Sequence, residues 1–527
     1  MDSSKTILQS FKSFFIGTLF TRVLGMLRDV SLAWVFGASI EIASFMVAFR
    51  LSNLFRRLFG ESSMQSSFSP YFETLRIEDK KKAAFFYRDL LFSLLFILVS
   101  IVVIFEIVLF YFMKNNIFSN FTSVFSYTSL MLPGLIFICL YGLDMALLQC
   151  EKKYFLPAIS PSIFNIVTLI TVFLIKDMPK GDGIKILSIS VSFSFLLQYL
   201  VNARVSFKIL SKDINFKSWF QFNLFSKEIK KLIAPIFLSI LGIASTQLNS
   251  ALDVIFAKIA DPQSPAYLWY SIRLYQLPLS LFAIGVSQAI LPPLTRAFIS
   301  NDQNQFKNFF NLAIKKSYTL LVPITVGIFI LGLPSINLIF NRGSFDNITL
   351  IQTNKCLSAY SISLVFSSFI FIIASSFYAK KKYLYPTIAS IISIGVNIFL
   401  NSIFIFVFNM KASSIALATS ISSIINFLIL LYFLKKEKKD LFEQKLLKSF
   451  FTVFNVSIFA FFITAIFGYL FKDPNILYLL NKQVSFSRNF LSQITSLLSL
   501  TSMYFSAVFL ISLVTKQKDI LNIVKIK

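Results

Sequence analysis

The chain has 527 residues, of which 56% are hydrophobic and 14% are charged, and its apolar residues form runs of about 18 or more, which indicates membrane-spanning helices and excludes a β-barrel. The net charge of +26 lies mostly in short loops between these runs, so it signals membrane topology, and we expect no nucleic acid partner. The chain has no His and three Cys without metal-ligand spacing, which excludes a His-based relay, a zinc site and a disulfide framework.

The apolar runs predict an all-α polytopic membrane protein with about fourteen transmembrane helices. Lys and Arg predominate in the loops on one side, which predicts that both termini are cytoplasmic. No small-residue cleavage site follows the first run, so it is predicted to be a retained helix. The predicted spans cover residues 12–36, 40–73, 85–113, 121–150, 155–176, 184–207, 231–260, 266–298, 308–340, 349–379, 384–409, 412–434, 446–471 and 487–515.

Two basic breaks, after the sixth and the twelfth span, divide the spans into groups of six, six and two. Two groups of six are typical of transporters in which two similar bundles surround a central cavity. We therefore predict an N-lobe, a cytoplasmic linker, a C-lobe and two C-terminal helices with a tail. Their predicted boundaries are residues 1–211, 212–230, 231–435 and 436–527.

Several arginines fall inside the predicted spans. A charged side chain at the membrane centre costs about 2.5–3.5 kcal/mol, so we expect these arginines to face a water-filled cavity. The planar guanidinium suits phosphate, which predicts an anionic, lipid-linked substrate with a pyrophosphate or carboxylate. The candidate substrate-binding residues are Arg22, Arg28, Arg50, Arg56, Arg57 and Arg273. Alternatively, some are interfacial anchors, above all Arg56 and Arg57, or are paired with acids such as Asp29, Glu41, Glu61 and Asp144.

A second candidate site involves Asp253 in span seven and Asn397 and Asn401 in span eleven. The two asparagines are four positions apart and therefore share a helix face. A buried carboxylate with amide oxygens suits a hard cation, and Na⁺ would allow transport to be coupled to a sodium gradient. A hydrogen-bond network that holds the helices together explains the same residues.

The chain lacks a phosphate-binding glycine loop, and no paired acids with a base indicate catalysis. We therefore expect a transporter and not an enzyme such as a polytopic transferase. No cofactor and no established metal site are expected. Energy for transport would come from ion gradients, from the membrane potential or from a difference in substrate concentration between the two leaflets.

Several segments resemble the MurJ/MviN family of lipid II flippases. The resemblance extends over most of residues 12–435 and is most specific in the arginine-bearing N-terminal stretch. The segments are TRVLGMLRD at 21–29, FGA at 36–38, AFRLSNLFRRLFGE at 48–61, the stretch 283–292, LIFNRGSF at 338–345, and FYAK at 377–380 with PT at 386–387.

This resemblance implies two six-helix lobes plus two helices that provide a groove for the lipid tail. It also implies that the protein flips lipid II, the undecaprenyl-pyrophosphate disaccharide-pentapeptide, to the outer leaflet by alternating access. Membrane lipids and cell-wall synthases are further expected partners. The family's cavity arginines correspond to Arg22, Arg28, Arg56 and Arg273. Three positions depart from the family pattern of acids: Ala43, Ile272 and Gln276.

Other functions remain open at this point. One alternative is a flippase for another polyprenyl-pyrophosphate oligosaccharide, of the O-antigen type. Another is a multidrug exporter, although its cationic drugs would favour an acidic pocket. A third is a scaffold for cell-wall synthases that transports nothing.

Overall fold

The computed structural model shows a chain whose regular elements are helices throughout the described residues. The described residues are 4–59, 61–224, 226–437, 444–480, 486–517 and 519–521, with side chains described outside 4–15, 55, 58, 59, 61–67, 234–246 and 444. Within this part, the prediction of an all-α fold is confirmed.

The chain divides into two compact units, Met1–Lys258 and Ile259–Lys527. This division falls near the end of the seventh predicted span, whereas the predicted lobes separate before that span. The helices up to that point are α1 (Ser4–Phe36), α2 (Ile40–Phe59), α3 (Glu61–Glu78), α4 (Lys80–Lys114), α5 (Thr122–Cys150), α6 (Phe155–Ile159), α7 (Pro161–Leu174), α8 (Lys180–Leu210), α9 (Phe216–Trp219) and α10 (Lys227–Ala260). The helices of the second unit are α11 (Ser264–Pro278), α12 (Gly285–Ile299), α13 (Gln303–Phe340), α14 (Asn347–Ser361), α15 (Leu364–Ala379), α16 (Leu384–Ser402), α17 (Ala412–Glu437), α18 (Gln444–Leu470), α19 (Pro474–Leu479) and α20 (Phe490–Val514).

Eleven helical stretches in the described part are long and apolar enough to cross a membrane. Each matches a predicted span, so a polytopic membrane protein is confirmed. The first, second and seventh predicted spans correspond to α1, α2 and α10, which are helical but are not among the eleven. The count of fourteen spans therefore stays a prediction.

The second predicted span, residues 40–73, differs from the structure because it contains two helices, α2 and α3. Arg56 and Arg57 lie in the last turn of α2. The stretch after them is rich in Ser and polar residues, so the apolar character that defined the span does not continue into α3.

In the first unit, α5 is the central helix and packs against α2, α3, α4 and α8. Its contact with α8 is especially close at Gly134, where a Cβ would lie 2.7 Å from the Cα of Ser192. The Ser192 hydroxyl donates a hydrogen bond to the carbonyl of Leu130 at 2.8 Å. A glycine at 134 thus allows two membrane helices to approach, as small residues do in bilayers.

We expect Gly134→Ala to destabilise the protein by about 1–3 kcal/mol, because the added methyl would meet backbone that cannot move freely. The measurement is thermal unfolding of the purified protein in detergent. Gly181→Ala is the matched control, since a Cβ there meets nothing within 4 Å. Equal unfolding temperatures for the two variants would contradict the close α5–α8 approach.

In the second unit, α13 is central and packs against α12, α14, α15, α18 and α20. The Tyr504 hydroxyl of α20 donates to the carbonyl of Pro323 in α13 at 2.7 Å. A Cβ at Gly327 would lie 3.0 Å from the Tyr504 ring, so Gly327 makes room for it. The two C-terminal spans, α18 and α20, are therefore packed onto the core of this unit.

Two π-helical segments interrupt the second unit, at Leu279–Ile284 and Ile403–Val407. The first directly follows α11, which carries Arg273, and the second follows α16, which carries Asn397 and Asn401. Single π turns in helices are frequent at functional sites because they redirect side chains locally. Arg273 and the Asn397–Asn401 pair thus each lie on a helix that a π-helical segment follows.

Candidate functional site

Arg28 is held on several sides by its neighbours. It is 7% exposed, on α1. Its Nε and Nη2 donate to Asp29 Oδ1 at 3.1 and 2.8 Å, and its Nη1 donates to Asn165 Oδ1 at 2.9 Å. The guanidinium also lies over the Phe164 ring, 5.0 Å from its centroid. Its plane and position are thereby fixed before any ligand arrives.

The neighbouring helix α7 positions Asn165 for this role. Asn165 is 5% exposed, and its Nδ2 donates to the carbonyl of Thr21 at 3.0 Å. Gly25 faces the same amide, with an ideal Cβ 3.6 Å from Nδ2, so α1 and α7 can approach closely here. Asn165 therefore joins the two helices and orients Arg28 at the same time.

This arrangement leaves Arg28 chemically able to bind an anion. A guanidinium has five N–H groups, and three hydrogen bonds to protein acceptors are described for Arg28. The carboxylate of Asp29 balances the charge of Arg28, which is the pairing that the sequence raised as an alternative. The preformed fork suits a phosphate oxygen better than a flexible ammonium would.

The other predicted arginines of the first unit have different surroundings. Arg22 and Arg57 are exposed, whereas Arg50 and Arg56 are half-buried. Arg22 and Arg28 are six positions apart, so they point to different faces of α1. Of the acids considered as partners, Asp29 pairs with Arg28, Asp144 accepts from Tyr87, and the Glu61 side chain lies outside the described residues.

Arg273 lies on α11 in the second unit and is half-buried. Its guanidinium lies over the Trp269 ring, 4.5 Å from the centroid, one helical turn away. The flanking Ile272 is half-buried and Gln276 is exposed, so neither of these positions supplies an acid. A cation held by an aromatic face retains its charge for an anionic ligand.

The structure brings Asn397 and Asn401 together, as their spacing predicted. Both are fully buried, and Asn401 Nδ2 donates to Asn397 Oδ1 at 2.9 Å. Asn397 Nδ2 lies 3.4 Å from Thr419 Oγ1 on α17, so the pair also joins two helices. Asp253 is buried in α10 and belongs to the first compact unit. The described residues include no group of three or more His, Cys, Asp or Glu that could hold a metal ion.

Sequence reasoning missed two buried basic residues, Arg88 and Lys258. Arg88 Nε and Nη2 pair with Asp89 Oδ1 at 2.9 and 2.5 Å, and its Nη1 donates to the carbonyl of Ser218 at 2.6 Å. Lys258 Nζ donates to Ser44 Oγ at 2.9 Å. Both lie near the ends of predicted spans but inside their boundaries, and this position could have marked them as buried charges.

Arg88 and its neighbours on α4 fasten the predicted linker, residues 212–230, to the first unit. Asp89 Oδ1 accepts from the backbone N–H of Asn223 at 3.2 Å, and the Ser93 hydroxyl donates to the carbonyl of Leu224 at 2.9 Å. The rings of Phe92 and Phe222 stack with centroids 4.3 Å apart. The linker is thus a docked segment of the first unit along this stretch.

A further charged cluster lies where the turn after α15 meets the end of α17. Lys380 and Lys382 donate to the two carboxylate oxygens of Glu437 at 2.9 and 2.6 Å. The hydrogen bond to Glu437 raises the pKa of Lys382. These lysines are topology signals in the sequence, and in the structure they also join two helix ends.

Comparison with known proteins shows which chains this one is similar to. The family model described as "Lipid II flippase MurJ" matches residues 32–484. A probable lipid II flippase MurJ of Chlamydia muridarum is 29% identical over 529 residues, covering 99% of this chain and 97% of that protein. The lipid II flippase MurJ of Thermosipho africanus is 30% identical over 441 residues, covering 82% and 86%.

Solved structures show the same similarity. A structure of lipid II flippase MurJ in an inward closed conformation matches with a TM-score of 0.71 and 27% identity, covering 94% of this chain and 99% of that one. An inward-facing multidrug resistance MATE family transporter of the MOP superfamily matches with a TM-score of 0.65 at 15% identity, covering 79% and 95%. The second match shows a shared fold alone.

Proposed function

This chain belongs to the lipid II flippase MurJ family, and from that premise we propose that it moves lipid II from the cytoplasmic to the outer leaflet by alternating access. It is a transporter and not an enzyme, and it supplies lipid II for cell-wall synthesis. It is a multi-pass protein of the bacterial inner membrane. Cytoplasmic placement of both termini is part of the proposal and is supported by the distribution of Lys and Arg.

The observation that carries the proposal is the fixed guanidinium of Arg28. Its plane is set by Asp29 and Asn165 before substrate arrives. Two parallel N–H groups would meet phosphate oxygens of the pyrophosphate, and charge-assisted hydrogen bonds of this type are about twice as strong as neutral ones. The polyprenyl tail would stay in lipid, beside the two C-terminal spans.

The remaining arginines would line a water-filled cavity that receives the head group. Arg273, held on Trp269, would supply a second fixed cation for the head group. Since Ile272 and Gln276 carry no negative charge, they would leave the potential around Arg273 positive. The other proposed contacts with the head group are Arg22, Arg50, Arg56 and Arg57.

A sodium site at Asp253, Asn397 and Asn401 is a second part of the proposal. The burial of Asp253 supports it, because a carboxylate in a predicted membrane span is by default a candidate for an ion pathway. The hydrogen bonds among Asn397, Asn401 and Thr419 support the alternative of a network between helices.

Replacing Na⁺ by choline should slow lipid II transport by the wild-type protein about tenfold, because the site would lose its ion. Asp253→Ala should be slow in either salt. The assay is transport by the purified protein in vesicles, with the exposed Asp177→Ala as the control variant. Equal wild-type rates in both salts would remove the sodium site and leave the hydrogen-bond network.

Depletion of the protein in its bacterium tests the main proposal. Newly made lipid II should accumulate in the inner leaflet, where an externally added probe cannot reach it. Assembly of the cell-wall synthases should remain normal. If lipid II stays accessible while synthase assembly fails, the protein acts as a scaffold and the flipping proposal is wrong.

A further inference from the structure

A buried carboxyl group outside the proposed substrate and sodium sites lies at Asp144 in α5. Asp144 is 1% exposed. The Tyr87 hydroxyl of α4, itself 2% exposed, donates to Asp144 Oδ1 at 2.5 Å. This acid is therefore sealed within the first unit and is bonded to a neutral donor.

The second carboxyl oxygen has no such donor. Among the described residues, Asp144 Oδ2 has no hydrogen-bond partner, and the same is true of the Ser206 hydroxyl on α8. Ser206 is 2% exposed and faces the Asp144–Tyr87 pair. Two neighbouring buried polar atoms thus lack a described hydrogen bond.

No described ion pair joins Asp144 to a cation, although α2, α3, α4, α6 and α8 all pack against α5. Arg76 of α3 pairs with Glu151, Arg88 of α4 pairs with Asp89, and Arg204 of α8 is exposed. The other charged or titratable groups that these helices carry toward the Cys150 end of α5 are Arg56, Arg57, Glu73, Tyr199 and Lys208. Of the groups on these helices, Tyr87 hydrogen-bonds to Asp144, and the hydroxyls of Ser206 and Tyr199 lie close to it.

An ionised carboxylate in this position would be buried without a counter-ion, which costs more free energy than burying the neutral acid. A neutral carboxyl has one O–H donor. A proton on Oδ2 would turn that atom into a donor aimed at the Ser206 hydroxyl, while Oδ1 continues to accept from Tyr87. The Ser206 hydroxyl can donate or accept, so either form of the acid could pair the two atoms, but only the neutral acid does so without an uncompensated buried charge.

We propose that Asp144 is a proton-binding site of the first unit and carries a proton on Oδ2 at neutral pH. The site lies about 9 Å from the end of α5, because Cys150 is six positions after Asp144 and each position adds 1.5 Å along the helix. Since Asp144 is almost fully enclosed, exchange of this proton requires α4, α5 and α8 to separate. Proton exchange at Asp144 is thus a reporter of the packing of these helices.

Infrared spectroscopy of the full chain in lipid vesicles at neutral pH tests this site. The wild-type spectrum should contain the carbonyl band of a protonated carboxyl, shifted in heavy water after exchange. Asp144→Asn, which is close in shape to the neutral acid, should remove the band. Asp177→Asn should keep it, because the Asp177 side chain is 89% exposed.

A second variant keeps the test decisive if Asp144→Asn does not fold. Tyr87→Phe removes the hydrogen bond to Oδ1, so the same band should move to higher frequency. A spectrum in which neither variant changes the carboxyl band would overturn the proposal. It would also be overturned if the band appeared only after Na⁺ was removed, since a bound metal cation would then occupy the site.

Discussion

Arg28→Lys should lower the rate of lipid II transport about 10- to 100-fold, although the charge is retained. A lysine has one ammonium and cannot reach Asp29, Asn165 and a phosphate with the same fixed fork. Each hydrogen bond to a charged group contributes about 1.5–3 kcal/mol, and 1.4 kcal/mol corresponds to a tenfold change.

Complementation of a flippase-depleted bacterium measures this effect, with protein levels checked by immunoblot. Arg204→Lys is the matched control, since Arg204 is exposed on α8, and it should support normal growth. Arg273→Lys should also fail to restore growth, because a lysine lacks the planar guanidinium that lies over the Trp269 ring. Full rescue by Arg28→Lys at normal expression would argue against a bidentate contact with phosphate.

Asp29→Ala should destabilise the first unit by about 3–5 kcal/mol, because it leaves the buried Arg28 without its counter-ion. The Asp29 and Arg28 side chains are 3% and 9% exposed, so solvent screens the pair weakly. Thermal unfolding of the purified protein is the measurement. Asp177→Ala is the control and should change stability by less than about 0.5 kcal/mol, as exposed pairs do.

The double variant Arg28→Met with Asp29→Ala separates stability from transport. It removes the uncompensated charge, so much of the unfolding temperature should return. Transport should remain lost, because the guanidinium is absent. If Asp29→Ala alone is as stable as the wild type, the Arg28–Asp29 pair does not hold this part of α1.

The sequence was sufficient to predict the helical membrane architecture, because each crossing helix needs a long apolar run whatever its neighbours are. It was less informative where apolar and polar features mix. Residues 40–73 read as one span but form α2 and α3. The packing of the linker against α4 depends on side chains such as Arg88, which donates a hydrogen bond to a backbone carbonyl about 130 positions later. Hydropathy cannot predict such a contact.

The candidate site shows the same division. The pairing of Arg28 with Asp29 was one of the alternatives that the sequence raised, and the Asn397–Asn401 contact could be predicted from a spacing of four on one helix face. Asn165 could not be predicted, because its contact with Arg28 depends on the rotation of α7 against α1, 137 positions away in sequence. For the same reason, the pairing of Asp144 with Tyr87 required the structure.

We propose that this chain moves lipid II and that its arginines recognise the pyrophosphate. The most direct test reconstitutes the purified protein in vesicles with fluorescent lipid II and adds an external quencher. The wild-type protein should expose inner-leaflet lipid II to the quencher, while an analogue without the pyrophosphate should remain protected. If lipid II in vesicles with the protein became accessible to the quencher no faster than in protein-free vesicles, the chain would not be a lipid II flippase. If the analogue were transported as fast as lipid II, the arginines would not recognise the pyrophosphate.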